Sequence, residues 1–378
     1  MICSGRNALT GENVTVRFGD TIETVEPAPA GEAVYLAPGW IDVQVNGFAG
    51  VDYNSPTTPH EEIARSIEVL HSTGVTRFYP TVITGGPDDM LGALRNLCHA
   101  RSSLAEGAIM DGFHVEGPHI SPEDGPRGAH PKHWVRPPDV EEFLRWQDAA
   151  EGHIRIVTLS PEWPEAPRYI ESLVERGIVI SIGHTKATAT QIGDAVAAGA
   201  TMSTHLGNGA HSMMPRHPNY IWDQLAEDRL SAGFIGDGIH LPPSFLKAAI
   251  RAKQVERAFL VTDASTPAAC PPGRYRLGEQ EVDLTADQRV VLAGQDRLAG
   301  SALKMHNGVA NLMRLAGLTL SDAVRLSTIN PAVYGNVPGR TQGLAPGERA
   351  DLVEFRLDPE TSAIEILKTW VGGRRVYG

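Results

Sequence analysis

The amino-acid sequence predicts an α/β protein: a (β/α)8 TIM-type barrel carrying a small β-sandwich assembled from both chain termini. Three observations support this. The long middle of the chain alternates apolar strand-length runs with amphipathic helix-length runs, and eight such strands occur in order. Both ends hold only strand-length runs. No Gly-x-Gly-x-x-Gly follows the first strand of the series, which weakens the dinucleotide-binding alternative among parallel folds. Repeated βα units fit a closed barrel or a doubly wound sheet, and eight of them favour the barrel.

The elements follow in order. "NVTVRF", "TIETV" and "AVYLAPG" read as short strands between residues 12 and 37. "WIDVQVNG" (40–47) opens the barrel, and "PHEEIARSIEVLHSTG" (59–74) is an amphipathic helix ending at Gly74. "TRFYPTVI" (76–83) is the next strand and "DDMLGALRNLCHA" the next helix. "AIMDGFHVEG" (108–117), "IRIVTLSPE" (154–162), "IVISIGHT" (178–185), "TMSTHLGNG" (201–209), "LSAGFIGDGIH" (230–240) and "AFLVTDAS" (258–265) continue the strand series. "PRYIESLVERG", "TATQIGDAVAAG" and "PSFLKAAIRAK" are helices between them. "ADLVEFRLD", "IEILKTWVGG" and "RRVYG" are the closing strands. The expected division is a discontinuous sandwich of residues 1–37 and 338–378 around a catalytic barrel of residues 38–337.

Composition narrows the function. A chain of 378 residues suffices for one large barrel plus an accessory unit. With 42% apolar and 21% charged residues, 39 Gly and 27 Pro, it suits a compact enzyme with many short loops better than a disordered protein. A net charge of -12 argues against broad nucleic-acid binding, which needs a basic face. An anionic small substrate would then need a local cluster of Arg, Lys or His. Cys3, Cys98 and Cys270 show no CxxC spacing and cannot build a disulfide framework. The N-terminus has no apolar core of signal-peptide length, and no run of about 18 apolar residues occurs. The expectation is a cytoplasmic enzyme with no membrane span.

Barrels of this type place their chemistry at the C-terminal ends of the strands. Polar residues gather there: Asp42, Gln44 and Asn46 on the first strand, His114 and Glu116 on the third, His184 on the fifth and His205 on the sixth. Asp237 and His240 end the seventh and Asp263 the eighth. Each has a plain alternative: a hydrogen-bonded core histidine, a helix-capping aspartate, an ion-paired glutamate. Together they converge if the chain closes into a barrel. Neutral imidazole nitrogen and anionic oxygen around one point is what a Zn²⁺ or Fe²⁺ site needs.

"PGWIDVQVNG", "HVEGPHI", "ISIGHTKAT", "STHLGNG", "GDGIH", "LVTDAS", "LAGSALKMHNGVANL" and the closing "GLAPGERADL" (343–352) together resemble the amidohydrolase superfamily. More narrowly they resemble the N-acetylglucosamine-6-phosphate deacetylase family, in order from about residue 36 to the C-terminus. The resemblance implies that Glu116, His184 and His205 hold one divalent metal ion per subunit and that Asp263 is the catalytic acid/base. It implies substrate contacts from His130, Asn208, Gly209, His240 and Met305. Arg216 would reach the phosphate in the neighbouring active site of a homodimer. The implied reaction removes the acetyl group from an N-acetyl amino sugar phosphate. His114 shares a face with Glu116 but lies two residues, roughly 6–7 Å, deeper, so it is expected to support the site by hydrogen bonds. His119 is left open between sugar and solvent.

The sequence departs from the family pattern. Most superfamily members carry His-x-His on the first strand; here those positions are Gln44 and Asn46, which leaves one tightly held metal expected. Gly209 replaces Ala, His217 replaces Glu and Asn219 replaces Gly on the phosphate side, departures that bear on the sugar and not on the reaction. The runner-up is another amidohydrolase acting on a related N-acyl sugar or N-acyl amino acid. Those usually require the His-x-His pair, and many a carboxylated Lys on the fourth strand, where "IRIVTLSPE" has none. A barrel without catalysis is the reading from another class, and the joint presence of Glu116, His184, His205 and Asp263 argues against it.

Overall fold

The computed structural model describes residues 1–29, 31, 34–340 and 342–378. Eight parallel strands run Trp40–Val45, Val75–Ile83, Phe113–Glu116, Ile154–Leu159, Val179–Ile182, Met202–Ser203, Ser231–Ile235 and Ala258–Val261. They pair in sequence order. The ring closes between first and last: Val45 bridges Ala264 in parallel, Asn46 N donates to Ala264 O at 2.7 Å and Asp263 N to Gln44 O at 3.1 Å. Trp40–Val45 and Phe113–Glu116 are buried along their whole length, on the barrel interior as well as under the helices. That is why their sequences read as near-continuous apolar runs.

Two strands stop earlier than their apolar runs. The fifth ends at Ile182 and the sixth spans two residues, because His184 and His205 leave the ladder with φ of 48° and 30°. The third starts at Phe113, since Gly107–Ile109 forms a 3-10 turn in front of it. Helices His60–Ser72, Pro87–Ser103, Val140–Ala149, Ala166–Val174, Ala189–Ala197, Tyr220–Ala226 and Pro243–Lys253 cover the outside. Their starts follow side-chain capping where the sequence supplies it: Asp139 accepts from Glu141 N, Thr188 and Gln191 form a capping box, and Asn219 accepts from Ile221 N and Trp222 N. Asn219, a departure from the family pattern, thus serves as a helix cap.

A three-stranded antiparallel insertion follows the eighth strand, Gly273–Leu277, Gln280–Leu284 and Val290–Leu292. The sequence reading did not foresee it. It packs its own small core of Leu277, Val282, Leu284, Val290 and Leu292 against Ile83 and Ala129 at the mouth of the barrel.

Both termini form one sheet of seven strands. Ile2–Asn7, Asn13–Phe18, Ile22–Pro27 and Tyr35–Pro38 come from one end, and Leu352–Leu357, Ile364–Val371 and Arg374–Tyr377 from the other. Ala33, in the expected strand "AVYLAPG", lies outside the described residues. Tyr35–Pro38 is the seam, parallel to Ile2–Asn7 and antiparallel to Leu352–Leu357. Two packed layers arise because this one sheet curls. Phe18 and Trp370 lie on strands four places apart in the sheet order, yet their rings meet at 5.9 Å. A flat sheet would hold them roughly 19 Å apart. Buried charges fasten this sheet to the barrel base: Asp351 accepts from Arg77 of the second barrel strand at 2.6 Å and lies 3.7 Å from Arg340.

Candidate active site

Three donor atoms meet at the C-terminal mouth of the barrel. His205 Nε2 lies 2.9 Å and His184 Nε2 3.1 Å from Glu116 Oε1, and the two imidazole nitrogens are 3.1 Å apart. All three side chains are buried. His184 Nδ1 donates to the carbonyl of Pro126 at 2.9 Å, which leaves its Nε2 lone pair aimed at the carboxylate. Two electron-rich atoms at that distance repel unless a cation lies between them. A tetrahedral Zn²⁺ with ligands at about 2.0–2.2 Å spaces its ligand atoms by roughly 3.3–3.5 Å, so the triangle fits an ion of that kind. His130 is a further donor, with a ligand atom within 4.8 Å of those of Glu116 and His184. The His205 trio is the tighter of the two. The Nδ1 of His130 is already engaged, 2.8 Å from Thr84 Oγ1.

The electrostatics follow from this crowding. Burial would raise the Glu116 carboxyl, but the imidazoles of His184 and His205 beside it hold it well below the ordinary carboxylate range. Burial pulls His205 down, and Glu116 outweighs it and raises the imidazole. His130 is pushed down to about 3, by burial and then by its neighbour His184.

Asp263 lies beside the trio. Gln44 Nε2 bridges the two carboxylates, 3.1 Å from Glu116 Oε1 and 3.2 Å from Asp263 Oδ1, and Asn46 Nδ2 donates to the same Asp263 oxygen at 2.6 Å. The first-strand amides that stand in place of His-x-His therefore hold the carboxylates. Burial, and after it the charge of Glu116, push Asp263 up to about 6. His184, His205 and Asp263 all have positive φ, at 48°, 30° and 50°, a conformation uncommon for residues other than glycine and enriched at functional sites.

The His184 ring lies between two glycines. A Cβ on Gly128 would come within 3.0 Å of Cε1, and one on Gly209 within 2.7 Å of Nδ1. Gly209 also has a φ of 54°, so glycine here gives both the conformation and the room for the ring.

A cavity of about 550 Å³ opens over these groups, with Asn46, Glu116, His130, His184, His205, Asn208, Gly209, His240 and Asp263 in its wall. His240 is held in one tautomer by Asp237, Nδ1 to Oδ2 at 2.6 Å, and Asp237 also accepts from the amides of Ile239 and His240. A larger cavity of about 630 Å³ lies alongside, against Asp52, Asn54 and Arg276, but it contains none of these imidazoles.

Other expected residues lie elsewhere. Met305 begins the helix Met305–Asn311 with its side chain buried in the core, so the wall after the eighth strand is made by Leu298, Ala299 and Gly300. Arg216 is exposed on the 211–219 loop and does not line the cavity. His114 bonds to no member of the trio. It donates from Nδ1 to Val43 O at 3.1 Å and meets Thr158 Oγ1 at 2.7 Å, continuing through Thr204 to Ser181. Burial lowers its pKa to about 4 and keeps it neutral. His119 is a core residue, stacked on Trp146 and edge-on to Tyr169.

Sequence reasoning missed the insertion's contribution. Gln280, Arg289 and Arg297 face this cavity, Gln280 bonding to the carbonyl of Ala129 and Arg297 Nη1 to that of Gly128 at 3.1 Å. The available signal was "GRYRLGEQEVDL": two alternating runs around a Gly278–Glu279 turn, the mark of a hairpin.

A closed parallel barrel with two imidazoles, a bridging carboxylate and a separate aspartate at its mouth is the architecture of a metal-dependent amidohydrolase. The Amidohydrolase family model matches residues 35–376. N-acetylglucosamine-6-phosphate deacetylase of Bacillus subtilis (strain 168) is 35% identical over 93% of this chain and 92% of its own length. An N-acetylgalactosamine-6-phosphate deacetylase of Escherichia coli O157:H7 is 30% identical over 95% and 93%. A Mycobacterium smegmatis N-acetyl-D-glucosamine-6-phosphate deacetylase variant, solved in complex with N-acetyl-D-glucosamine-6-phosphate, superposes with a TM-score of 0.89 at 31% identity, covering 100% of this chain and 99% of that one. The chain belongs to the N-acetylglucosamine-6-phosphate deacetylase family of the amidohydrolases.

Proposed function

We propose that this protein hydrolyses the acetamide of N-acetylglucosamine 6-phosphate to glucosamine 6-phosphate and acetate. The observation that carries this is the convergence of Glu116, His184 and His205 within 3.1 Å of one another, with Asp263 tied to them through Gln44. These three side chains would hold one divalent ion, Zn²⁺ or Fe²⁺. When bound, such an ion supplies Lewis acidity and lowers the pKa of water from about 15.7 to near 7.

The protein's own groups do the rest. Asp263 takes the proton of the attacking water and returns it to the departing sugar nitrogen. Gln44 and Asn46 fix the Asp263 carboxylate, and His130, kept neutral by burial, can donate to the developing oxyanion. Asn208, Gly209 and His240 orient the sugar. Arg216, outside the cavity of its own chain, would serve the neighbouring site of a homodimer. Three cysteines without a disulfide fit a reducing, cytoplasmic setting. No helix among the described residues is long and apolar enough to cross a membrane.

The similarity to an N-acetylgalactosamine-6-phosphate deacetylase favours the C4 epimer as the second reading. An acetate-release screen over N-acetylglucosamine, N-acetylgalactosamine, N-acetylmannosamine and their 6-phosphates decides between them. Activity on none overturns the deacetylase reading. Glu116→Ala, His184→Ala and His205→Ala should each lose bound metal, and full retention in all three refutes the ligand set.

A further inference from the structure

We infer that Thr84 is a positioning residue for the oxyanion donor: its hydroxyl donates to Nδ1 of His130 and so places the ring's one N–H at Nε2, the nitrogen that Thr84 leaves free. This rests on the deacetylase reading and adds to it a residue from outside the reacting set.

The backbone leading to His130 is held at three carbonyls. Arg127 Nη1 donates to that of His130 at 2.6 Å, Arg297 Nη1 to that of Gly128 at 3.1 Å, and Gln280 to that of Ala129. The ring is held differently. It meets the His184 ring edge-on, with centroids 4.4 Å apart, a contact that does not tell one ring nitrogen from the other. Its one hydrogen bond among the described residues joins Nδ1 to Thr84 Oγ1 at 2.8 Å, and both residues are buried. A neutral imidazole has one donor and one acceptor nitrogen, and a hydroxyl can serve either. If His130 donates from Nδ1, the Thr84 proton must go elsewhere. Its other acceptor among the described residues is the Glu116 carbonyl oxygen at 3.5 Å, beyond the ordinary range of an O–H···O bond. If Thr84 donates to Nδ1, both groups are satisfied. The second arrangement is favoured, because a buried polar hydrogen without an acceptor is costly.

The choice has a chemical consequence. With its proton on Nε2, His130 can donate to the oxyanion that forms on the acetyl oxygen. With the proton on Nδ1, Nε2 would turn a lone pair toward that charge and repel it. The fold makes room for the hydroxyl: a Cβ on Gly117 would collide with Thr84 Oγ1, and Gly117 has a φ of 79°. Thr84 directly follows the second barrel strand and Gly117 the third, where Ile83 pairs with Glu116. The strand ends that carry Glu116 therefore also set the tautomer of His130.

The test compares Thr84→Val, which keeps the shape without the hydroxyl, with Thr84→Ser, which keeps the hydroxyl, and measures the metal content of each. Thr84→Val should lower kcat on N-acetylglucosamine 6-phosphate by about 10–100-fold, the loss expected for a buried hydrogen bond felt in the transition state, with KM little changed. Thr84→Ser should restore most of that loss. Nitrogen NMR of the Zn²⁺-loaded protein, labelled at its histidines, reads the tautomer directly. His130, identified by the signals lost in His130→Asn, should show Nδ1 without a hydrogen and Nε2 with one. A proton on Nδ1, full turnover in Thr84→Val, a fall in metal content that accounts for the lost turnover, or a loss that Thr84→Ser does not restore overturns the proposal. Failure of the deacetylase reading looks different: the unaltered enzyme releases no acetate from any of the sugars, while the NMR still reports the tautomer.

Discussion

Asp263 can accept a proton only while ionised, and its surroundings work against that charge. Burial and Glu116 raise its pKa to about 6, while the Asn46 amide pulls it back. Because the base form is the deprotonated one, kcat/KM should rise with pH through this pKa, and a divalent cation at Glu116 would move the limb lower. Asn46→Ala removes a donor to the carboxylate and should shift the acidic limb upward by roughly one pH unit. A pH profile identical to that of the unaltered enzyme would show that Asn46 does not tune this group. Asp263→Asn should retain metal and lose about 10²–10⁴ in kcat. Retained turnover would rule out the proton-shuttle role. The meeting of Glu116, His184, His205 and Asp263 was legible because polar side chains end four apolar runs of a closed barrel. The place of Met305 was not, because the start of its helix decides whether the side chain enters core or cavity. Arg216 depends on assembly, which no single chain encodes as a pattern.

At the scale of elements, the period of the apolar residues located strands and helices well, and the errors have a physical source. Apolar character continues past the last ladder bond of the fifth and sixth strands, so pattern alone cannot see where His184 and His205 turn the chain away. The insertion was missed because its strands are only three to five residues long and polar on the outer face. Those turned segments are sterically full. Gly209→Ala would place a methyl group 2.7 Å from His184 Nδ1 and force an L-residue to φ 54°, which costs about 1–2 kcal/mol before the ring moves. The expected result is a drop of at least about tenfold in metal affinity, read by titration with Zn²⁺. Unchanged affinity would mean that the 206–210 turn yields instead of the ring.

For the whole molecule, the joint between barrel and terminal sheet is electrostatic at its centre. The side chains of Arg77, Asp351 and Arg340 are almost fully buried. Asp351→Ala would leave three guanidinium groups, those of Arg77, Arg340 and Arg349, without their shared carboxylate and should destabilise the protein by about 3–5 kcal/mol in denaturant unfolding. A loss under about 1 kcal/mol would show that Glu348 and Asp111 compensate. The barrel and the pairing of the two ends were legible from the order of element types. The curl that joins Phe18 to Trp370 was not, because strand order within a sheet is not written in any one strand. That sheet also sets a timetable for synthesis. Tyr35–Pro38 leaves the ribosome long before Leu352–Leu357, its antiparallel neighbour. At about 5–20 residues per second, the intervening chain takes roughly 15–60 s to make. Throughout that interval the nascent N-terminal strands present an unpaired edge, the feature that invites intermolecular pairing. A message truncated before the codon for Leu352 would make that exposure permanent.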